Sequence, residues 1–409
     1  MRTHLANTHN IRENSVAKDQ VKRQSTLELY HRSRASLGKE QYLKLNRALA
    51  LALALDMRPL SMVQGIGFRH FCKILNPLYQ VPCSSTMKTN ILALFEEAKK
   101  ELIELVAGRN VAITTDLWSS TVSKRGYITI TAHFLLDWKY VTRVLATRPL
   151  DGSHTAKHIA ETLKEIQEEF KIHKLIAMTT DNAKNMENAG CEMNIIHVFC
   201  FSHTLQLSVQ AGVSHAPIKR ALAAARSLVG HFNHSILSTG ALKEKQKSIE
   251  LDDEPGTPKS LIQSVATRWN SDYKMAIRLI ELRVSVLAVL YDNKVTKPGM
   301  RATLDLENNQ WKILEQFGEV MKPFAIATEK LTSESSPTLS QVFIVIKMLI
   351  TTACKPSDTD ECPEIKKMKD CIRKDLTTRY KLDTDGTPKN VKIPALVASF
   401  LDPRYTLEI

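Results

Sequence analysis

Val111-Ala112-Ile113-Thr114-Thr115-Asp116 and Leu175-Ile176-Ala177-Met178-Thr179-Thr180-Asp181 are two short, β-branched runs, each closed by an aspartate, and the relation between them decides the fold. Val, Ile and Thr favour the extended, pleated backbone, so both runs read as strands. Two more strand-like stretches lie between them, 127–136 around Ile128, Ile130 and Phe134, and 140–147, rich in Val and Leu. Lys124-Arg125-Gly126 and Asp137-Trp138-Lys139 supply the turns. Ser153 is then placed to cap a helix in which Ile159, Leu163, Ile166 and Phe170 recur in steps of four, three and four, which is one helical face. A fifth strand is expected at 195–199. The predicted order is β-β-β-α-β-α-β, an α/β fold. A helix between strands three and four permits a right-handed crossover that lays strand four parallel to strand one and beside it. Asp116 and Asp181 would then project together at one edge of the sheet, an oxygen-rich spot suited to Mg²⁺ or Mn²⁺. Strand-to-loop junctions also favour Asp for turn and capping reasons, and the two runs by themselves leave both readings open.

Outward from this unit the chain turns helical. Residues 1–38 show no sustained apolar periodicity. An Ala/Leu-rich run over 40–56 has high helix propensity, and Phe68, Phe71, Cys72 and Leu75 recur at helical spacing beyond Pro59. Met87, Ile91, Leu94, Ala98, Leu102 and Leu105 follow in steps of three and four, with Gly108 as the stop. On the other side, Tyr273, Ile277, Ile280, Val284 and Leu287 predict one apolar face and Ile365, Met368, Ile372 and Leu376 another. Breaks at 254–258, 293–299 and 384–389 carry Pro/Gly turn chemistry. The expected organisation is a basic arm over 1–38, a helical region over 40–108, the α/β core over 109–215 and a helical domain over 216–409.

The 409 residues are enough for two or three domains. With 43% hydrophobic and 24% charged residues the composition is that of soluble globular proteins. The longest strongly apolar run, 48–55, is far too short to cross a bilayer, so no membrane partner is expected. Seven cysteines at irregular spacing without a signal-peptide pattern fit reduced thiols rather than a secreted disulfide framework. The formal net charge is +13. Ten basic side chains against four acidic ones fall in the first fifty residues. Such an arm gains affinity for a polyanion by displacing counterions; the bland reading is a solubilising tail.

Four motifs now stand in order: Thr115-Asp116-Leu117-Trp118-Ser119, Thr180-Asp181-Asn182-Ala183 with Asn185-Met186, Cys200-Phe201-Ser202-His203, and Ala266-Thr267-Arg268-Trp269-Asn270-Ser271. In this order the chain resembles the hAT transposase superfamily and, within it, the BED-type zinc-finger proteins descended from such transposases. Pro59 and Pro82, with Phe68-Arg69 and Leu75-Asn76-Pro77 between them, fit the helical segment ahead of the family's catalytic domain. Ala398-Ser399-Phe400-Leu401-Asp402-Pro403-Arg404-Tyr405 fits the end of its inserted helical domain. The resemblance, over about 40–409, implies an RNase H-like core with an N-terminal helical region and a large helical insertion.

It also implies roles. Asp116 and Asp181 would be two of three metal-binding acids, the third being a Glu in a Ser-Glu-Arg context in the C-terminal dimerisation region. That context does not occur in the 409 residues, so the core is expected to be a vestigial transposase without strand-transfer activity, dimerisation is doubtful, and Mg²⁺ or Mn²⁺ would bind only weakly. Cys200 and His203 would form a structural element beside the acids. A zinc reading would need Cys191 and His197 as well, since tetrahedral zinc takes four ligands. Arg268 and Trp269 would contact transposon ends, phosphate to guanidinium and base to indole; the alternative is a buried Trp with the Arg facing solvent. His4 and His9 match the second half of a BED finger whose Cys pair is missing, so zinc belongs to the complete finger only and the chain is expected to start inside one. The function implied is a nuclear, DNA-associated protein in transcriptional regulation, with transcription-related proteins as partners. An active transposase represented by an incomplete chain and a pure protein-interaction module are the alternatives.

Overall fold

The computed structural model describes residues 37–249, 257–265, 268–332, 336–356, 361–383 and 394–405. His4, His9 and the basic arm, together with Ala266, Thr267 and the break at 384–389, lie outside the described residues. The chain divides into two compact units, Met1–Leu105 and Val106–Ile409.

In the first unit, α1 (Lys39–Leu55) is followed by a 3-10 turn (Leu60–Gln64), α2 (Ile66–Leu75) and α3 (Ser84–Val106). Ala50, Leu53, Val63 and Met87 form its small core, with Phe68, Ile91 and Leu94 packed around it. Buried Asn46 accepts a hydrogen bond from the Tyr79 hydroxyl at 2.9 Å, joining α1 to the segment after α2. Just past α3, Gly108 adopts φ +72°, the left-handed conformation that stops a helix most cheaply at glycine.

The second unit opens with β1 (Asn110–Ser119), β2 (Gly126–Leu136), β3 (Lys139–Pro149), α4 (Ala156–Glu169), β4 (Lys174–Thr180), α5 (Lys184–Glu192) and β5 (Ile196–Phe199). The predicted order β-β-β-α-β-α-β is the observed one. The five strands lie in the order β3-β2-β1-β4-β5. β1 runs antiparallel to β2 and parallel to β4, and β4 runs parallel to β5. At the β2–β3 hairpin Asp137 and Trp138 both take positive φ, +50° and +61°, and Leu136 pairs with Lys139 across them. A two-residue turn with two left-handed positions matches the right-handed twist of the strands.

One face of the sheet is apolar and buried: Val111, Ile113, Ile128, Ile130, Ala132, Phe134 and Met178 all lie below one-tenth exposure, as do Ile159, Leu163 and Ile166 of α4. The helix cap differs from expectation. Thr155, not Ser153, is the N-cap, its hydroxyl accepting from the His158 amide; either hydroxyl could cap, and the chain enters the helix two residues later. β1 also outruns its expected end, continuing through Asp116 to Ser119 on β2 alone, with Asp116 opposite Thr129 and Trp118 opposite Tyr127.

Helices fill the rest: α6 (Phe201–Val213), α7 (Ala216–His234), α8 (Ile236–Ile249), α9 (Trp269–Glu281), α10 (Arg283–Leu290), α11 (Pro298–Leu304), α12 (Asn308–Leu331), α13 (Leu339–Met348), α14 (Pro363–Arg379) and α15 (Pro394–Leu401). One continuous apolar cluster runs from Phe201 of α6 to Leu396 of α15, so α6 shares the core of the helical domain. Ile365, Met368, Ile372 and Leu376 are fully buried, as their spacing predicts. The face predicted at 273–287 is met in part: Tyr273, Ile280 and Leu287 pack partly buried against the core. Ile277 and Val284 are exposed, and the buried side is Met275, Ala276, Leu279, Leu282 and Val286. The helix breaks at Leu282, between the two exposed positions. At Gly212 of α6 a Cβ would stand 2.6 Å from Ile372 Cγ1 and 2.8 Å from the Met368 carbonyl oxygen. Only glycine lets α14 lie this close.

Candidate functional site

The last pair joining β1 to β4 is Thr114 with Thr179. Two residues further along each strand are Asp116 and Asp181, so continuing the parallel register sets the two aspartates opposite one another on the same face. Asp116 is exposed and Asp181 half-buried. They stand where β1 parts from β4 yet stays paired with β2. Asp181 Oδ1 accepts the Ala183 amide at 3.1 Å, an Asx turn that leads into α5.

The loop carrying Asp181 is pinned from several sides. Asn182 and the Thr204 hydroxyl of α6 are joined at 3.1 Å. Asn185 donates its side-chain amide to the His154 carbonyl at 2.9 Å. The Thr180 hydroxyl donates to the Asp181 carbonyl and lies 2.8 Å from His197 Nε2, which supplies the proton of that second bond. Burial pushes the His197 imidazole below the ordinary histidine range, against the pull of Glu187 and Asp181.

The face that carries the aspartates is polar, in contrast to its reverse. The Thr114 hydroxyl meets His133 Nε2 at 3.0 Å, while the Tyr140 hydroxyl meets His133 Nδ1 at 2.7 Å. Burial lowers the His133 pKa, which favours the neutral ring. Nearer the acids, Trp118 Nε1–H donates to the Thr129 hydroxyl at 3.0 Å. The Trp118 ring stacks on Tyr127 at 4.6 Å and remains 43% exposed. Sequence reading singled out Asp116 in this motif and passed over Trp118. Strand alternation was the available signal, because residues 116 and 118 share a face. Between this face and the helical domain runs a cleft of about 910 Å³, bordered by Thr114, His133, Asn182, Val342 and Tyr380.

Arg268 and Trp269 part company. Arg268 is exposed, but Trp269 is only 4% exposed and meets Phe324 edge-on, with centroids 6.4 Å apart. Its backbone amide is also taken up, donating to Gln206 Oε1 at 3.2 Å. Of the two readings open for this pair, the indole takes the buried one: the residue belongs to the helical core, and Arg268 faces solvent. Two residues beyond the indole, Ser271 and Asp272, are structural as well. The Ser271 hydroxyl accepts from the Val265 amide at 2.8 Å, and buried Asp272 accepts from Arg226 at 2.8 Å.

Cys200 and His203 sit at the start of α6, both half-buried. The Cys200 amide donates to the Thr180 carbonyl at 2.7 Å, which anchors α6 to the strand end that carries Asp181. Among the described residues no three His, Cys, Asp or Glu side chains converge as a metal-binding group. Among the described residues, Asp116 and Asp181 contribute two carboxylates to such a group and Cys200-x-x-His203 does not gather four zinc ligands. Among the described residues no helix is long and apolar enough to cross a membrane.

Comparison with known proteins places this geometry. Residues 114–208 match the ZBED1 RNase-like domain and residues 198–320 the ZBED1 RNase-like helical domain. A putative transcriptional regulator, tpeD, of Talaromyces stipitatus is 26% identical over 85% of this chain and 44% of its own length. Human zinc finger BED domain-containing protein 4 is 25% identical over 75% of this chain and 26% of its own. The putative AC transposase of Zea mays is 25% identical over 88% and 44%. The chain spans less than half the length of each of these relatives.

Proposed function

Because the chain belongs to the hAT-derived, BED-type family, with its RNase H-like core and helical domain, we propose that it is a nuclear, DNA-associated regulator that does not itself transfer strands. The observation that carries this reading is the open face of the sheet. It retains Asp116, Asp181 and the exposed Trp118, yet the described residues add no third metal ligand. Two carboxylates can hold a divalent cation loosely. They do not supply the ligand set that in-line phosphoryl chemistry demands. Trp118 keeps the capacity to stack an unpaired base next to them. The names of the relatives support a regulatory or transposase ancestry, one being a putative transcriptional regulator and another a putative transposase.

DNA binding rests on two sources. Arg2, Arg12, Lys18, Lys22, Arg23, Arg32 and Arg34 of the arm pair with phosphates without reading sequence, and the open face adds a preference for unpaired ends. The test is incubation of the whole chain with duplex and nicked DNA in Mg²⁺ or Mn²⁺, together with a salt titration of binding. No nicking, and a log–log salt slope that flattens when residues 1–38 are deleted, is the expected result. Nicking that disappears in Asp181→Asn would establish instead that a further carboxylate completes the site. The chain would then act as a transposase.

A further inference from the structure

β3 closes one side of the sheet, paired with β2 and with no other strand. Lys139 pairs with Leu136 across the two-residue turn, Val141 with Phe134 and Arg143 with Ala132, whereas Tyr140, Thr142 and Val144 stand opposite Leu135, His133 and Thr131. Ladder bonds alternate along an antiparallel pair. Counted from the bonded pair that closes the turn, the amides and carbonyls of Tyr140, Thr142 and Val144 face outward, away from β2. The Thr142 carbonyl bears this out, because Arg143 Nη1 donates to it at 2.8 Å. No backbone group among the described residues meets the others. Regular pairing ends just beyond, where Leu145 bulges between Val144 and Ala146.

Alternation also sorts the side chains. Lys139 and Arg143, four residues apart, share the face of buried Phe134 and Ala132. Both are exposed, and neither meets a carboxylate among the described residues, whereas Arg148 further along pairs with Glu165 and Glu169 of α4. On the opposite face Leu135 is 54% exposed and Val144 62%, and Tyr140 and Thr142 border the cleft. The whole of β3 holds neither Asp nor Glu.

We propose that the outer edge of β3, from Lys139 to Val144, takes an extended acidic segment of a partner protein as an added antiparallel strand. The segment's backbone pairs with the outward groups of Tyr140, Thr142 and Val144. Its apolar side chains lie beside Tyr140 and Val144, and its carboxylates beside Lys139 and Arg143, whose guanidinium leaves the Thr142 carbonyl to meet them. Strand addition to an open edge is an established recognition mode, in which main-chain bonds give affinity and alternate side chains give specificity. Charge selects the occupant, since the register sets both cations on one face of the edge itself. A second copy of β3 would bring two more cations and no carboxylate to that face, the ordinary guard of an edge against its own copies. DNA would meet the cations but leave the outward carbonyls and Val144 without partners. A strand with carboxylates on one face and apolar side chains on the other satisfies all of these groups at once.

The experiment titrates the full chain into a fluorescein-labelled peptide of about ten residues in which valine alternates with glutamate, a strand pattern. Parallel arms use lysine for glutamate, a peptide of identical composition with the alternation scrambled, and two N-methylated forms, one methylated at the valine amides and one at the glutamate amides. Expected is binding of the acidic peptide at least about tenfold tighter than the lysine or scrambled peptide. One N-methylated form binds and the other does not, because an added strand pairs through only one of its own edges. Val144→Pro removes an outward amide without touching the ladder to β2, and weakens binding about fivefold or more. Arg143→Glu costs about threefold at low salt, an effect that salt removes. It serves as the second variant should Val144→Pro lower the melting temperature. Ile236→Asp, at an exposed apolar site of the helical domain, leaves binding unchanged. Equal binding of the acidic and scrambled peptides, no binding at all, equal binding of the two N-methylated forms, or indifference to both Val144→Pro and Arg143→Glu overturns the proposal. So does self-association of the chain that Val144→Pro abolishes, because the edge would then have a second copy as its occupant.

Discussion

Two tryptophans set the two halves of the second unit against each other. Trp118 follows Asp116 by two residues on the open face of the sheet and is 43% exposed, lying flat on Tyr127. Trp269 stands beside Arg268 in a motif that equally invites a nucleic-acid reading, and it is 4% exposed against Phe324. The difference teaches that a motif retained from a DNA-handling ancestor is held in place by whatever its side chains now touch. An indole at a strand end costs little to keep in the open. An indole at the first turn of α9, over Phe324 of α12, is kept by the packing of the helical domain.

The sharpest way to break this contrast is Trp269→Ala. Removing a fully packed indole should cost about 3–5 kcal/mol of stability, read as a fall in the urea midpoint with the slope unchanged. A loss of DNA binding without that destabilisation would return Trp269 to the DNA-facing role. Next in size is Asp272→Ala, three residues on. It strips Arg226 of its carboxylate and leaves the guanidinium, bound also to Ser264 at 2.7 Å, without its charged partner. Arg226 keeps a third of its side chain in water, so the cost should be about 1–2 kcal/mol rather than that of a fully buried pair. A double-mutant cycle with Arg226→Ala should recover most of it.

On the other side of the comparison, Trp118→Ala should cost under about 1 kcal/mol, because the ring is nearly half in solvent and loses one stacking partner. Its effect should fall on binding instead. The advantage of single-stranded or frayed ends over closed duplex should shrink by about 1–3 kcal/mol, the worth of one base–aromatic stack. Competition binding at fixed salt measures it, and an unchanged preference would mean that the open face does not stack bases.

How much of this was legible in the sequence differs between the same two regions. The sheet was, because Val/Ile/Thr runs and a crossover helix leave few topologies, and the placement of Asp116 beside Asp181 follows from strand order alone. The overrun of β1 past Asp116 was not, since Leu117 and Trp118 pair only with β2 and nothing local marks where β4 lets go. Nor was the Thr114–His133–Tyr140 network, which depends on register between three strands. In the helical domain Ile365 to Leu376 gave its face away by clean spacing. In α9 and α10 the spaced Tyr273, Ile280 and Leu287 were legible as core-facing, whereas the more deeply buried Met275, Ala276 and Leu279 lie off that period. The orientation of Trp269 was hidden because a single aromatic beside an arginine carries no period at all.

The smallest expected effect belongs to Arg268→Ala, and it isolates what remains of that motif's outward side. Arg268 is exposed, and the Ser271 and Trp269 contacts that fix the turn use backbone groups and neighbouring side chains rather than its guanidinium. Its removal should therefore change stability by no more than about 0.5 kcal/mol. If the guanidinium meets a DNA phosphate, the log–log salt slope should lose about 0.9, one counterion's share. The loss should be the same on every duplex sequence, since a phosphate contact carries no base information. An unchanged slope in a stably folded Arg268→Ala protein would confine DNA contact to the arm and the open sheet face. The helical side of the molecule would then be scaffold throughout, and the contrast between Trp118 and Trp269 would extend from two side chains to the two layers that hold them.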